Sequence, residues 1–295
     1  MKLKLIITLL LITSSAASAG TDSLRTEIAK FLGSKQARIG MACRLIETGD
    51  TLSYGNEHHY PMQSVFKFHL ALALLDQVQQ GALSLDKSCH LTQKDLLPET
   101  WSPMRDKYPS RKADLKLGEL INYMVSQSDN NACDYLFQLY GGPAKVNNFI
   151  HSIGISDLAI ISNERDMHKK HDLQYKNWTT PTAAVDLLTH FFGKKIIQGA
   201  EYEFLMKAMI ETTTGPDRIK GRLPAGTIVA HKTGSSGQNS KGLSAATNDI
   251  GIITLPNGHH LALSVFVCDS WESESDNAAI IADLSKMLWE YYKDK

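Results

Sequence analysis

The chain has 295 residues, with 31 basic side chains against 31 acidic ones and a formal net charge of zero at neutral pH. That balance excludes the cationic field that draws a protein to nucleic acid or to an anionic membrane surface. Four cysteines, Cys43, Cys89, Cys133 and Cys268, are irregularly spaced without a Cys-x-x-Cys, which excludes the common zinc and dithiol motifs, and the apolar runs around three of them point to buried thiols.

The N-terminus reads Met1-Lys2-Leu3-Lys4, then an apolar run from Leu5 to Thr13, then Ala17-Ser18-Ala19. This is the pattern of a secretory signal peptide cleaved after Ala19, with an apolar part too short to span a bilayer. The expectation is an exported protein, periplasmic or secreted, monomeric, free of the membrane after cleavage and about 276 residues long (295 minus 19). A short amphipathic helix is predicted over Asp22 to Phe31, followed by strands over Arg38 to Glu47 and Thr51 to Tyr54 with a turn at Thr48-Gly49-Asp50. Helical periods then dominate: Ser64 to Gln80, Leu117 to Ser126, Ala132 to Tyr140, Ala144 to Ile153, Thr182 to Phe192 and Glu201 to Ile210. After Gly215-Pro216 the period returns to two, with strands at Thr227 to Thr233, Ala245 to Leu255 and His260 to Cys268, and a hairpin turn at Pro256-Asn257-Gly258. A last amphipathic helix covers Ser275 to about Tyr292.

Strands at both ends that bracket helices imply an α+β fold: one five-stranded antiparallel sheet built from both termini, with a helical lobe inserted. Residues 20–59 and 214–295 form the α/β lobe, residues 60–213 the all-helical lobe, and a cleft lies where they meet.

Three short motifs carry chemistry. Ser64 and Lys67 stand three apart at the start of a core helix, so they share a face, and unpaired N–H groups near that terminus favour developing negative charge. This is a serine nucleophile with an amine partner. Ser128-Asp129-Asn130 sits between two helices, where a turn presents Ser128 and Asn130 while Asp129 satisfies backbone N–H groups. Lys232-Thr233-Gly234, followed by Ser235, lies on the first late strand, where alternation separates Lys232 and Gly234 from Thr233 and Ser235, and Gly234 leaves room for the close approach of a ligand. Paired histidines such as His58-His59 and His259-His260 lack the spacing of a metal motif, so no metal or other cofactor is expected. No Gly-x-Ser-x-Gly elbow is present, which disfavours a Ser-His-Asp hydrolase.

In the order Ser-x-x-Lys, Ser-Asp-Asn, Lys-Thr-Gly, these motifs are the signature of class A β-lactamases and penicillin-binding proteins. Over essentially its whole mature length the chain resembles a class A serine β-lactamase, within the PER and VEB group of extended-spectrum enzymes. The resemblance implies Ser64 as the acylated nucleophile, Lys67 as its base or proton relay, and Ser128 as proton donor to the lactam nitrogen. It implies Asn130 as partner of the substrate side-chain amide, Lys232, Thr233 and Ser235 as holders of the ring carboxylate, and the N–H groups of Ser64 and Ser235 as the oxyanion hole. Glu164, in Ser162-Asn163-Glu164-Arg165-Asp166-Met167-His168, takes the place of the glutamate that activates the deacylating water; Asp166 is the alternative carboxylate. Arg218 matches an arginine that adds positive field near Lys232 or is a plain surface charge, and Trp101 either stacks on substrate or anchors its connection.

Departures from the common pattern cluster in the Glu164 loop. His168 stands where the family has an asparagine beside the water, Ser162 and Asn177 replace an arginine–aspartate pair at the loop neck, and Arg165 replaces a proline. The resemblance implies hydrolysis of penicillins and cephalosporins, hence antibiotic resistance. Two rivals share the motifs: a DD-peptidase of the penicillin-binding type, and a β-lactam sensor acylated once without turnover. Whether Lys67 or Glu164 is the acylation base stays open.

Overall fold

The computed structural model describes residues 22–169 and 171–295; the signal-peptide pattern lies outside them. The chain divides at Gln36 into two compact units. In the first, residues 22–32 are helical, with Leu24, Ile28 and Leu32 four apart along one face.

In the second unit, Ala37 onward, the main sheet has the order Thr51–Tyr54, Arg38–Leu45, His260–Ser270, Ser244–Thr254, Val229–Ser235, every neighbour antiparallel. Early strands thus lie beside late ones, as the bracketed pattern predicts. The hairpin between the two long strands turns at Gly258, with φ of +85°, where a side chain would be strained. The strand that carries Lys232 runs to Ser235, two residues beyond its predicted end, because the period-two reading stops at Gly234 although its backbone stays in the ladder opposite Asn248.

The inserted segment is organised around the helix Phe66–Gln79, buried from Phe66 through Leu75. Apart from Lys67 and His69, that buried stretch is apolar on all sides, so it sits inside the helical layer rather than on it. Three helices start one or two residues earlier than their apolar periods, because the cap rather than the first apolar residue sets the start: the Asp129 carboxylate accepts from the Ala132 N–H, the Thr180 hydroxyl from the Ala183 N–H ahead of Pro181, and Ser273 from the Asp276 N–H. The segment is not wholly helical. Ser88–Leu91 pairs with Ala113–Lys116, and Trp178–Thr179 lies between Tyr60–Pro61 and Leu158–Ala159. Pieces of two to four residues fall below the length at which alternation is readable. All four cysteines are buried, and no disulfide joins them.

Candidate active site

Ser64 lies in a 3-10 turn, Gln63–Val65, that leads into the helix Phe66–Gln79, whereas the sequence reading starts one continuous helix at Ser64. The turn is entered through Gln63 at φ +47°, a left-handed conformation that non-glycine residues adopt at a cost and that recurs at functional sites. One turn on, the Lys67 Nζ lies 2.9 Å from Ser64 Oγ, 2.8 Å from Glu164 Oε1 and 2.8 Å from the Ser128 carbonyl, and it also reaches Asn130 Oδ1. Lys67 is wholly buried and the Glu164 side chain 11% exposed. Taking an ammonium out of water costs several kcal/mol that a facing carboxylate only offsets, so a lysine in the core helix is not a device for stability.

Ser128, also left-handed at φ +58°, brings its hydroxyl between two lysines: Lys232 Nζ donates at 2.9 Å and Lys67 Nζ lies at 3.4 Å. Buried Asp129 does the local work, accepting from the Ser102 hydroxyl and the N–H groups of Met104 and Ala132. That ties the Trp101 connection to the Ser128 turn. Trp101 is 61% exposed, and its indole N–H donates to the Gln127 carbonyl, so the ring is anchored by one edge with its faces open at the cavity rim. The Asn130 amide N–H donates to Thr100 Oγ1.

On the facing strand Lys232 is fully buried, and burial, with the like charge of Lys67 second, holds its ammonium well below the usual lysine range. Thr233 shares a 2.6 Å hydroxyl contact with Thr214. Arg218 donates to the carbonyls of Gly234 and Asn248 and, at 2.6 Å, to Ser235 Oγ; it is a half-buried brace of the strand end rather than a free surface charge.

Gly234 is a correction. A Cβ there would stand 2.5 Å from the Met62 carbonyl oxygen and 3.3 Å from the Ser64 nitrogen, so the close approach it permits is that of the chain's own Ser64 turn, not of a ligand. The Asn248 amide, on the neighbouring strand, donates to the Pro61 and Met62 carbonyls and holds the same turn.

Glu164 opens a short helix, Glu164–Lys169, instead of lying in irregular loop. The Asp134 carboxylate, reaching up from the helix Asn130–Tyr140, accepts from the N–H groups of Glu164 and Arg165. In place of an ion pair at the neck, the Asn177 side chain accepts from the N–H groups of Ile161 and Ser162 and donates to the Ser162 carbonyl. His168 is exposed and lines a smaller adjoining cavity of about 270 Å³ together with Glu164, Met167 and Gln174. Asp166 is exposed, with its N–H held by Asn163 Oδ1, and does not line either cavity at the site.

Burial, with the charge of Glu164 second, raises the Asp134 carboxyl to about 7 against an ordinary 3.8. Between those values the folded chain keeps a proton that the unfolded chain has released, so this group makes stability fall as pH rises through the window. Asp134→Asn has no such proton. Denaturant unfolding from about pH 5 to 7 should show the wild type losing about 2 kcal/mol relative to the variant, whereas a constant gap would assign the titration elsewhere.

Ser64, Trp101, Ser128, Asn130, Glu164, Arg218, Thr233 and Ser235 all line one cavity of about 490 Å³, with Lys67 and Lys232 buried beneath its surface. A serine with a buried amine, a carboxylate and a second hydroxyl within hydrogen-bond reach can perform acyl transfer followed by hydrolysis. The sequence model of the β-lactamase enzyme family matches residues 23–292. The chain belongs to that family.

Among its relatives, β-lactamase VEB-1 of Pseudomonas aeruginosa is 44% identical over 296 residues, covering 100% of this chain and 98% of the relative. The extended-spectrum β-lactamase PER-1 of Pseudomonas aeruginosa is 42% identical, covering 96% and 92%. The crystal structure of TLA-1 extended-spectrum β-lactamase superposes with a TM-score of 0.91 at 51% identity, covering 93% of this chain and 99% of that one. The resemblance to class A enzymes of the PER and VEB group, and the α+β fold it implies, are therefore borne out.

Several residues of this β-lactamase-family site escape sequence reading. Asp134 lies in a helical run, and nothing local marks it as the cap of a segment thirty residues away. Thr213, Thr214 and Gly215 line the cavity from a connection whose only signal is its Gly-Pro breaker. Gln63 precedes Ser64 directly, but its bond to Gln174 at 2.6 Å is a tertiary fact.

Proposed function

We propose that the protein is a class A β-lactamase that opens the β-lactam ring of penicillins and cephalosporins through an acyl-enzyme on Ser64 and hydrolyses it with water activated by Glu164, conferring antibiotic resistance. The observation that carries this reading is Ser64 Oγ at the cavity surface, 2.9 Å from Lys67 Nζ and 3.3 Å from Glu164 Oε1, so that the groups for both half-reactions meet at one oxygen.

In acylation, Ser64 Oγ attacks the lactam carbonyl as its proton passes to the Lys67–Glu164 pair. The oxyanion forms at the backbone N–H groups of Ser64 and Ser235, donors fixed before reaction, which makes them worth far more than water. Ser128, bonded to both lysines, gives its proton to the departing nitrogen and regains one from Lys67. Lys232, Thr233, Ser235 and the Arg218 brace supply the cationic, hydroxyl-lined end for the ring carboxylate, and Asn130 meets the side-chain amide. In deacylation Glu164 takes a proton from water, whose oxygen attacks the ester carbonyl; Ser64 Oγ leaves with a proton and the free enzyme returns. The leader pattern of residues 1–19 supports export to the periplasm.

Glu164 beside Ser64 separates this reading from a peptidase or sensor, since a water base has no task in a protein acylated once. Purified protein mixed with excess chromogenic cephalosporin should turn over far beyond one equivalent. A burst that stops near one equivalent, with the adduct on Ser64, would overturn hydrolysis and leave the penicillin-binding reading.

A further inference from the structure

The segment His171–Tyr175 is a 3-10 turn in contact with the helix Glu164–Lys169, and its Gln174 lines the adjoining cavity together with Glu164. It is tied to the main sheet. The Tyr175 hydroxyl donates to Asp269 Oδ1 at 2.8 Å, and the other carboxylate oxygen of Asp269 receives the Arg38 guanidinium at 2.6 Å. Arg38 Nη2 also lies 3.3 Å from the buried Cys268 sulfur. Asp269 stands at φ +48°, and the ladder passes from Cys268 opposite Ala246 to Ser270 opposite Ser244 without it. A non-glycine residue held left-handed at a strand end is over-determined by its surroundings, and here the side chain so turned out meets one cation and one phenol. Burial, with the Asp269 bond second, pushes the Tyr175 hydroxyl above the tyrosine range, which keeps it a donor.

We propose that Asp269 is a positioning residue for deacylation: the chain Arg38–Asp269–Tyr175 clamps the turn behind Glu164, so that the carboxylate keeps its alignment on the water while acylation proceeds without it. Acylation needs Ser64 in the 3-10 turn Gln63–Val65, Lys67 on the core helix and Ser128 in its own turn; they meet the clamped segment through the Gln63–Gln174 bond and the Lys67–Glu164 pair, neither of which uses Tyr175 or Asp269. Deacylation needs a base on the clamped segment. The inference rests on the Ser64 acyl-enzyme of the proposed function.

Tyr175→Phe removes one hydrogen bond to a charged group and keeps the ring. Rapid-quench mass spectrometry of the Ser64 adduct with a cephalosporin should show deacylation slowed about five- to tenfold with acylation unchanged, so that kcat and KM fall together and kcat/KM holds. Asp269→Ala should match it, the double variant should be no slower than either single, and Asp269→Asn, which keeps an acceptor oxygen for Tyr175, should restore more than half of the rate. Deacylation unchanged in both Tyr175→Phe and Asp269→Ala overturns the clamp, as does an equal fall in both half-reactions, which would mark general loosening. A wild type that forms no Ser64 adduct overturns the proposed function instead, and does so before any variant is compared.

Discussion

Ser64→Ala is expected to abolish covalent labelling by penicillin and to lower turnover by about a millionfold, the scale seen when the nucleophile of an acyl-transfer enzyme is lost. The cause is chemical, not structural. A methyl replaces the hydroxyl in a turn whose backbone is set elsewhere, by the Asn248 amide on the Pro61 and Met62 carbonyls and by contact with Gly234. Lys67 keeps Glu164 and the Ser128 carbonyl as partners, so no buried charge is orphaned and thermal stability should hold. Intact-mass measurement after incubation with penicillin checks the result. A persistent adduct on another residue would remove Ser64 from its assigned role, and with it the meaning of the cavity.

Glu164→Gln is the second large effect. The amide has nearly the shape of the carboxylate but cannot take a proton from water, and a lost general base lowers a hydrolytic step by about a hundredfold to ten-thousandfold. The enzyme should therefore accumulate acyl-enzyme that carries the whole mass of the substrate and releases product slowly. The same variant bears on the first half-reaction, because Ser64 Oγ has two candidate bases, Lys67 at 2.9 Å and Glu164 at 3.3 Å. Adduct formation within about tenfold of the wild-type rate would leave Lys67 as sufficient for acylation. Absence of any adduct, with the fold intact by circular dichroism, would place Glu164 in the first step and sink its assignment to deacylation alone.

Sequence reading reached the parts of the site that are local and missed those that are tertiary. Ser64 and Lys67 are three apart across a 3-10 turn and the helix it leads into, and Lys232 to Ser235 alternate on a strand; spacing alone says which side chains share a face. The sheet was legible for the same reason, since period two and the Gly258 turn are short-range signals. The tasks of Asp134, Asn177 and Asp269 were not. Each is an ordinary polar residue in its own segment and acquires a task only because a distant backbone N–H, carbonyl or hydroxyl comes within 3 Å of it. The departures at Ser162 and Asn177 were visible, but that an amide would replace the ion pair by bonding main chain on both sides needed coordinates. Gly234 was noticed for the wrong neighbour, because a missing Cβ announces a close approach without saying whose.

That contact sets a limit on how the enzyme can diversify. With the Met62 carbonyl filling the place of a Cβ at Gly234, the gap between the Ser64 turn and the strand Val229–Ser235 is a main-chain to main-chain dimension. Selection acts through side chains, and the side chain that holds that gap is Asn248, buried on the neighbouring strand with its amide on the Pro61 and Met62 carbonyls. Under pressure from new antibiotics the chain is therefore free to explore its rim, where Trp101, His168 and Thr214 face open space, while the reacting frame stays at a fixed gauge. Breadth of substrate and constancy of chemistry are thereby assigned to different classes of atoms, and a drug that contacts only main chain around Ser64 and Gly234 presents the enzyme with a target it has few ways to alter.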